Sequence, residues 1–304
     1  MLRFVAGRLL QALITLWLLS LAVFVIARVS GDPVIILMPM EASSQELAAL
    51  SKELGLDRSI AHQYWVYLQN VAQGDFGRSF RYRRPVTDVV GQPLLNTLWL
   101  ATSAIIFSSV VGVILGVLAA TNRGRWPDRV AMLVSLLGQS LPAFAVGIIF
   151  ILVFSVTLGW LPTSGLGGPA HYVLPVITLG WVVTASVTRL LRSSMLEVLD
   201  SEFIKLARAK GLGKRTVVFK HALRNALVPV VTIIGMTYGV LLTGAITTEV
   251  VFTWPGLGRL AYNAVLSRDF PLVQFCVLIF AALIIGLNFL VDVSYALLDP
   301  RIRA

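Results

Sequence analysis

The sequence predicts an all-α polytopic membrane protein with six transmembrane helices, and three observations carry that reading. Hydrophobic residues make up 57% of the 304-residue chain and charged residues only 13%, about half the charge of an ordinary globular protein. Long apolar runs free of formal charge recur at the roughly 20 residues a bilayer demands. The net charge of +10 falls on one side of those runs. Because the backbone must satisfy its own hydrogen bonds in lipid, the runs are read as helices.

Leu9 to Ala27 lies free of charge between Arg8 and Arg28. It is too long, and too poor in small residues at its end, for a cleaved signal peptide. Val29 to Gly91 is one outer loop, long enough to cap the outer mouth but too short for an enzyme domain. Within it "SSQELAALSKELGL" reads as a helix capped by Ser43 or Ser44, and "HQYWVYLQNVAQGDFG" as an interfacial helix ending at Gly74. Val89 to Asn122 holds the second span. Val130 to Thr188 runs 59 residues without a charge, which suits two spans joined by the turn-rich "GWLPTSGLGGPAHY". Asn225 to Thr248 and Phe270 to Val291 are the fifth and sixth. Gly112-xxx-Gly116 and Gly235-xxx-Gly239 offer surfaces for close helix approach, inside this chain or against a partner's helix.

The side holding the N-terminus, the second and fourth loops and the C-terminus carries 16 Lys+Arg and 6 Asp+Glu, with Asp292 counted there; the other side carries 9 of each. Cations in short loops set orientation, so both ends are expected in the cytoplasm. The organisation that follows is residues 1–28 as N-terminus and first span, 29–91 as the outer loop with short helices, and 92–304 as the core. That core carries a cytoplasmic loop at about 193–226.

Chemistry is scarce. H-E-x-x-H, G-x-S-x-G and C-x-x-C are all missing, and Cys276 is the one cysteine, so neither an enzyme motif nor a metal cluster is expected. His62, His171 and His221 are spread over different loops. "GLGKRT" at Gly211 to Thr216 fails as a phosphate loop, since Arg215 follows Lys214 and Arg208 stands where a glycine is needed. Leu206 to Pro229 holds six cations and no acid, but it is flanked by spans and has one aromatic, Phe219. A nucleic-acid patch is therefore excluded, whereas attraction to anionic lipid explains the sign of the charge. The pattern within the strip asks for more: two helix-forming arms meet at Gly211-Leu212-Gly213, a protruding elbow shaped for a socket. No ionisable pair lies at mid-membrane, which disfavours a proton-driven carrier. A channel, or a carrier coupled to ions through backbone carbonyls, stays open as the alternative. Gln139, Ser140, Met236, Thr237 and Thr243 are the polar or soft residues that could line a path or simply pack.

The elbow resembles the signature loop of bacterial ABC-importer permeases: Glu-Ala-Ala, three residues, Gly, nine residues, Ile-x-Leu-Pro. Lys205-Leu206-Ala207 stands in the first place, Gly211 matches the glycine, and His221-Ala222-Leu223-Arg224 follows nine residues later, so the general Glu, Ile and Pro are absent. "ARAKGL…KHALRNALVPVVT" is instead similar to the dipeptide, oligopeptide, nickel and glutathione branch. "GDP" (Gly31–Pro33), "ELGLD", "QGDFGRS", "PAFAVG", "LGWLPTSG", "VLPVITLG", "EVVFTWPGLGRL" and "DPR" (Asp299–Arg301) extend that resemblance along the whole chain, and "RWPDR" draws it toward glutathione-importer permeases. The resemblance implies a type I ABC importer permease fold in a bacterial inner membrane, with the outer loop periplasmic. It implies a second related permease subunit, two cytoplasmic ATPases that carry ATP and Mg, and an extracytoplasmic binding protein, with no cofactor in this chain. Lys205, Ala207, Arg208, Gly211, Leu212, Gly213, Lys214, His221 and Arg224 would couple to the ATPase. Glu249, Pro255, Gly256, Gly258 and Arg259 would form the outer loop that meets the binding protein or plugs the path.

Overall fold

The structure is a computed structural model and describes residues 2–29, 43–53 and 55–298. The Gly31–Pro33 and Asp299–Arg301 motifs lie outside the described residues. The helices are α1 (Leu2–Val29), α2 (Ser44–Glu53), α3 (Ile60–Ala72), α4 (Val86–Thr121), α5 (Trp126–Ser140), α6 (Ala143–Phe150, running on as a π-helix over Ile151–Thr157), α7 (Ala170–Leu199), α8 (Glu202–Ala209), α9 (Lys214–Val251), α10 (Leu257–Leu266) and α11 (Phe270–Leu298). Among the described residues five helices are long and apolar enough to cross a membrane, and α5 with α6 makes a sixth crossing if that bent pair counts as one span.

The bend is the main departure from the expected third span. α5 and α6 meet at 111° around Leu141 and Pro142. Pro142 caps α6 with extended backbone, φ −59° and ψ 136°, and Leu141 before it is extended as well. A residue preceding proline is driven out of the helical region, so the chain turns where the apolar run continues.

The chain divides into two compact units, Met1–Asn96 with Gly256–Ala304, and Thr97–Pro255. In the first, α1 packs on α11, and on α3 through Ser20 and Tyr64, whose hydroxyls share a hydrogen bond of 2.7 Å. Ser43 caps α2 in a reciprocal box: its hydroxyl accepts from the Glu46 N–H, and the Glu46 carboxylate accepts from the Ser43 N–H at 2.8 Å. That backbone bond, with the Ser43 hydroxyl, holds the Glu46 carboxyl below its usual range. α3 ends as expected at Gly74, φ +81°. The "QGDFGRS" loop is fastened to the start of α11 by Asp269. This buried carboxylate accepts from the Ser79 hydroxyl and from the Phe80 and Arg81 N–H groups, the latter two at 3.1 Å.

The second unit is built on α7, against which α4, α5 and α6 lay their glycines. An added Cβ at Gly112 would stand 2.7 Å from Val187 Cγ1, at Gly116 2.9 Å from Leu191 Cβ, at Gly138 2.5 Å from Ala185 Cβ, and at Gly147 3.0 Å from Thr178 Cγ2. The Gly112–Gly116 pair therefore packs inside this chain. In lipid, where apolar surface gains little from leaving solvent, such close contact supplies van der Waals energy instead. α4 shows the complementary pattern on its other face, a stripe of exposed Trp99, Ile106, Val110, Ile114 and Leu118. Leu100, Val183, Val187, Leu191, Met195, Ile204, Val217 and Val230 belong to one continuous core.

Candidate functional site

The elbow begins with α8. Ile204 and Ala207 are buried three residues apart on one face, which holds α8 against the core. That places Phe203 and Leu206 outward, 47% and 56% exposed, beside the exposed Lys205 and Arg208. α8 then closes in a Schellman turn: the Gly211 N–H donates to the Arg208 carbonyl at 2.9 Å and the Leu212 N–H to the Ala207 carbonyl at 3.3 Å. Gly211 has φ +80°, the conformation only glycine adopts freely. Gly213 has φ −63° and starts the next helix, so only the first glycine is required by the backbone.

The second arm differs from the expected short helix. Lys214 opens α9, which continues through Pro229 to Val251 as one 38-residue element. Pro229 withholds one N–H from the Asn225 carbonyl, yet the helix continues through it. Val217–Ala222 is π-helical, a form that often marks functional positions. The elbow is thus directly continuous with a membrane span.

Of the predicted elbow residues, Lys205, Arg208, Gly211, Leu212, Gly213, Lys214 and Arg224 are exposed, His221 is half-buried, and Ala207 is buried. Ala207 packs rather than presents a surface. Sequence reasoning missed the exposed apolar residues Phe203, Leu206 and Phe219, the last 56% exposed. The phase of Ile204 and Ala207 on α8 was the signal that could have found Phe203 and Leu206. A cavity of about 440 Å³ adjoins the elbow, with Arg123, Arg208, Lys214 and Leu212 on its wall.

α5 is tied to α7 beside this region. The Asp128 carboxylate takes both the Nε and Nη2 donors of Arg192, the latter at 2.8 Å, and also the Gly124 N–H at 2.9 Å. This fork geometry is the strong form of an ion pair. The residues lie 64 positions apart, too far for any local pattern to mark the pairing.

The predicted outer contacts are mostly enclosed in this structure. Glu249 has no exposed surface and accepts from the Thr97 hydroxyl, while Gly256 and Gly258 are buried. Glu249, Gly256 and Gly258 are thus enclosed within the turn rather than on its surface. Pro255 and Arg259 are half-buried, and Thr253 is the exposed residue of the turn, at φ +52°. Gln139, Ser140, Met236 and Thr243 are exposed on the chain's surface. Thr237 lies with Ser186, Arg189 and Ser193 along a groove between α7 and α9. Among the described residues no group of three metal-binding side chains forms.

Five or six candidate spans, one of them continuous with a glycine-jointed elbow, define a polytopic α-helical membrane protein. The comparisons with known proteins specify which. Residues 112–304 match the family model of the binding-protein-dependent transport system inner membrane component, and residues 1–101 match that family's N-terminal model. The chain is 44% identical over 304 residues to the glutathione transport system permease protein GsiC of Escherichia coli, covering all of this chain and 99% of that protein. The same figures hold for GsiC of Shigella dysenteriae serotype 1. An inward-facing structure of the MetNI methionine ABC transporter shares the fold with TM-score 0.57 at 20% identity, over 68% of this chain and 95% of that one. An amino acid ABC transporter structure does so with TM-score 0.54 at 16% identity, over 67% and 91%. The chain belongs to the binding-protein-dependent transport system inner membrane components and has the ABC importer permease fold.

Proposed function

We propose that this chain forms half of the translocation path of an ATP-driven importer for short peptides or glutathione, in a bacterial inner membrane with both chain ends cytoplasmic. Its companions are a second related permease, two cytoplasmic ATPases carrying ATP and Mg, and an extracytoplasmic binding protein. The substrate class follows from full-length similarity to the glutathione permeases, and the orientation from the one-sided cations.

The observation that carries the mechanism is the elbow's continuity with α9. Closure of the ATPase pair pushes on Phe203, Leu206, Leu212 and the flanking cations. The push passes through Lys214 into a helix about 57 Å long, pivoting near the π-helical Val217–Ala222. Glycine at 211 fixes the angle at which the elbow meets its socket. The cations complement an acidic rim, giving orientation and speed of docking more than affinity. ATP and substrate each favour their own state of this rigid-body switch.

A cysteine at Leu212, in a Cys276→Ala background, should cross-link to the ATPase subunit in the assembled complex, and less so when ATP is removed. No cross-link in an intact assembly would defeat the coupling role. Ligand screening of the cognate binding protein tests the substrate separately: glutathione or a short peptide is expected, and a sugar or a bare metal ion would overturn the class.

A further inference from the structure

Between α7 and α9 runs a groove of about 490 Å³, lined by Ser186, Arg189, Leu190, Ser193, Ile233 and Thr237. Residues 186, 189 and 193 share one face of α7 through 3- and 4-residue spacing. Arg189 is exposed and has no salt-bridge or hydrogen-bond partner among the described residues. The contrast with Arg192, less than one turn away, is direct: that guanidinium is held by Asp128 at 2.8 Å. Arg189 directly follows the charge-free run that ends at Thr188, at the cytoplasmic end of α7, where a guanidinium with all its donors unspent faces water or an anion. Ser186 and Thr237 spend their protons within their own helices, on the Val182 carbonyl at 3.0 Å and the Ile233 carbonyl at 2.7 Å. The donors left to meet an anion are Arg189 and Ser193.

We infer that this groove is a water-filled stretch of the translocation path and that Arg189 contacts the carboxylate of the substrate in transit. The inference rests on the importer reading above. Peptides and glutathione carry a free carboxylate, whose planar pair of oxygens matches the guanidinium fork. The volume suits a ligand of di- or tripeptide size. The thioether of Met236 and the hydroxyl of Thr243 are exposed further along α9; they offer no charge, so the substrate is held once and released.

The test uses the complete importer in proteoliposomes. Arg189→Gln should lower ATP-driven glutathione uptake about tenfold, the scale of one lost charge-assisted hydrogen bond. Arg189→Lys keeps the charge but loses the fork, so its uptake should fall between that of the unaltered importer and that of the Gln variant. In a Cys276→Ala background, Ser193→Cys should react with a membrane-impermeant thiol reagent. Equal uptake with Gln, or a Lys variant as inactive as Gln, would overturn the role of Arg189. Reaction of Ser193→Cys only with a lipid-soluble maleimide would overturn the wet groove. If the unaltered assembly, with its ATPases hydrolysing ATP, imports no glutathione or short peptide, the importer reading fails instead, before any variant is compared.

Discussion

Alanine at Gly211 changes the backbone of the elbow and little else. The position is open, with nothing within 4 Å of an added Cβ, so the methyl group meets no neighbour. The cost comes from φ +80°, where an L-residue pays about 1–2 kcal/mol. Gly213 is the internal control: it is equally open, but at φ −63°, so alanine there should add about 0.4–1 kcal/mol by restricting the unfolded chain. The two substitutions, two residues apart in one loop and chemically identical, should differ by about 2 kcal/mol in folding stability, of which the roughly 1–2 kcal/mol at Gly211 alone acts on the seated elbow, about 5- to 30-fold in its population. In the reconstituted importer, Gly211→Ala should lower uptake per ATP hydrolysed, while Gly213→Ala should leave it unchanged. Gly211→Pro forbids the positive φ and also removes the N–H that donates to Arg208, so it should uncouple hydrolysis from uptake altogether. Normal uptake by the proline variant, or equal harm from alanine at either glycine, would refute the reasoning.

Three further outcomes follow from the packing and the charge distribution. Gly138→Ala should destabilise the chain by about 1–3 kcal/mol by overpacking, since its Cβ would meet the Ala185 Cβ at 2.5 Å; Ala185→Gly should restore much of the loss, read as thermal unfolding in detergent. Asp128→Asn and Arg192→Gln should each cost about 3 kcal/mol by leaving the other member of the pair without its counter-charge. The double variant should cost well below their sum, and a fully additive result would mean that the pair contributes nothing jointly. In a Cys276→Ala background, Lys214→Cys should react with an impermeant thiol reagent only from the cytoplasmic side and Ser44→Cys only from outside; the reverse pattern would invert the topology.

How far the sequence could be read depended on the range of each signal. The spans were legible because solvation by lipid acts on every residue of a helix, so a run such as Phe270 to Val291 declares itself locally. The 111° bend at Leu141–Pro142 was hidden because apolar composition continues across it; only the proline and its extended predecessor marked it. Gly211 was legible for the opposite reason: the left-handed turn is a property of one residue. The second arm was misjudged because the cations between Lys214 and Arg224 resemble a separate surface helix, while nothing in the chain stops the helix before Val251. The burial of Glu249 was not legible, because its partner Thr97 lies 152 residues away. The Asp128–Arg192 fork was invisible on the same grounds.

The central claim is that this chain is driven from outside itself, by ATPases acting through the elbow. The most direct measurement is uptake of labelled glutathione and short peptides by proteoliposomes. One set holds the permease pair alone, and the other holds the permease pair with ATPase subunits, binding protein and ATP. The account predicts accumulation against a gradient only in the complete, ATP-supplied assembly. Uptake by the permeases without the ATPases, whether down a gradient as a channel or coupled to an ion, would contradict it.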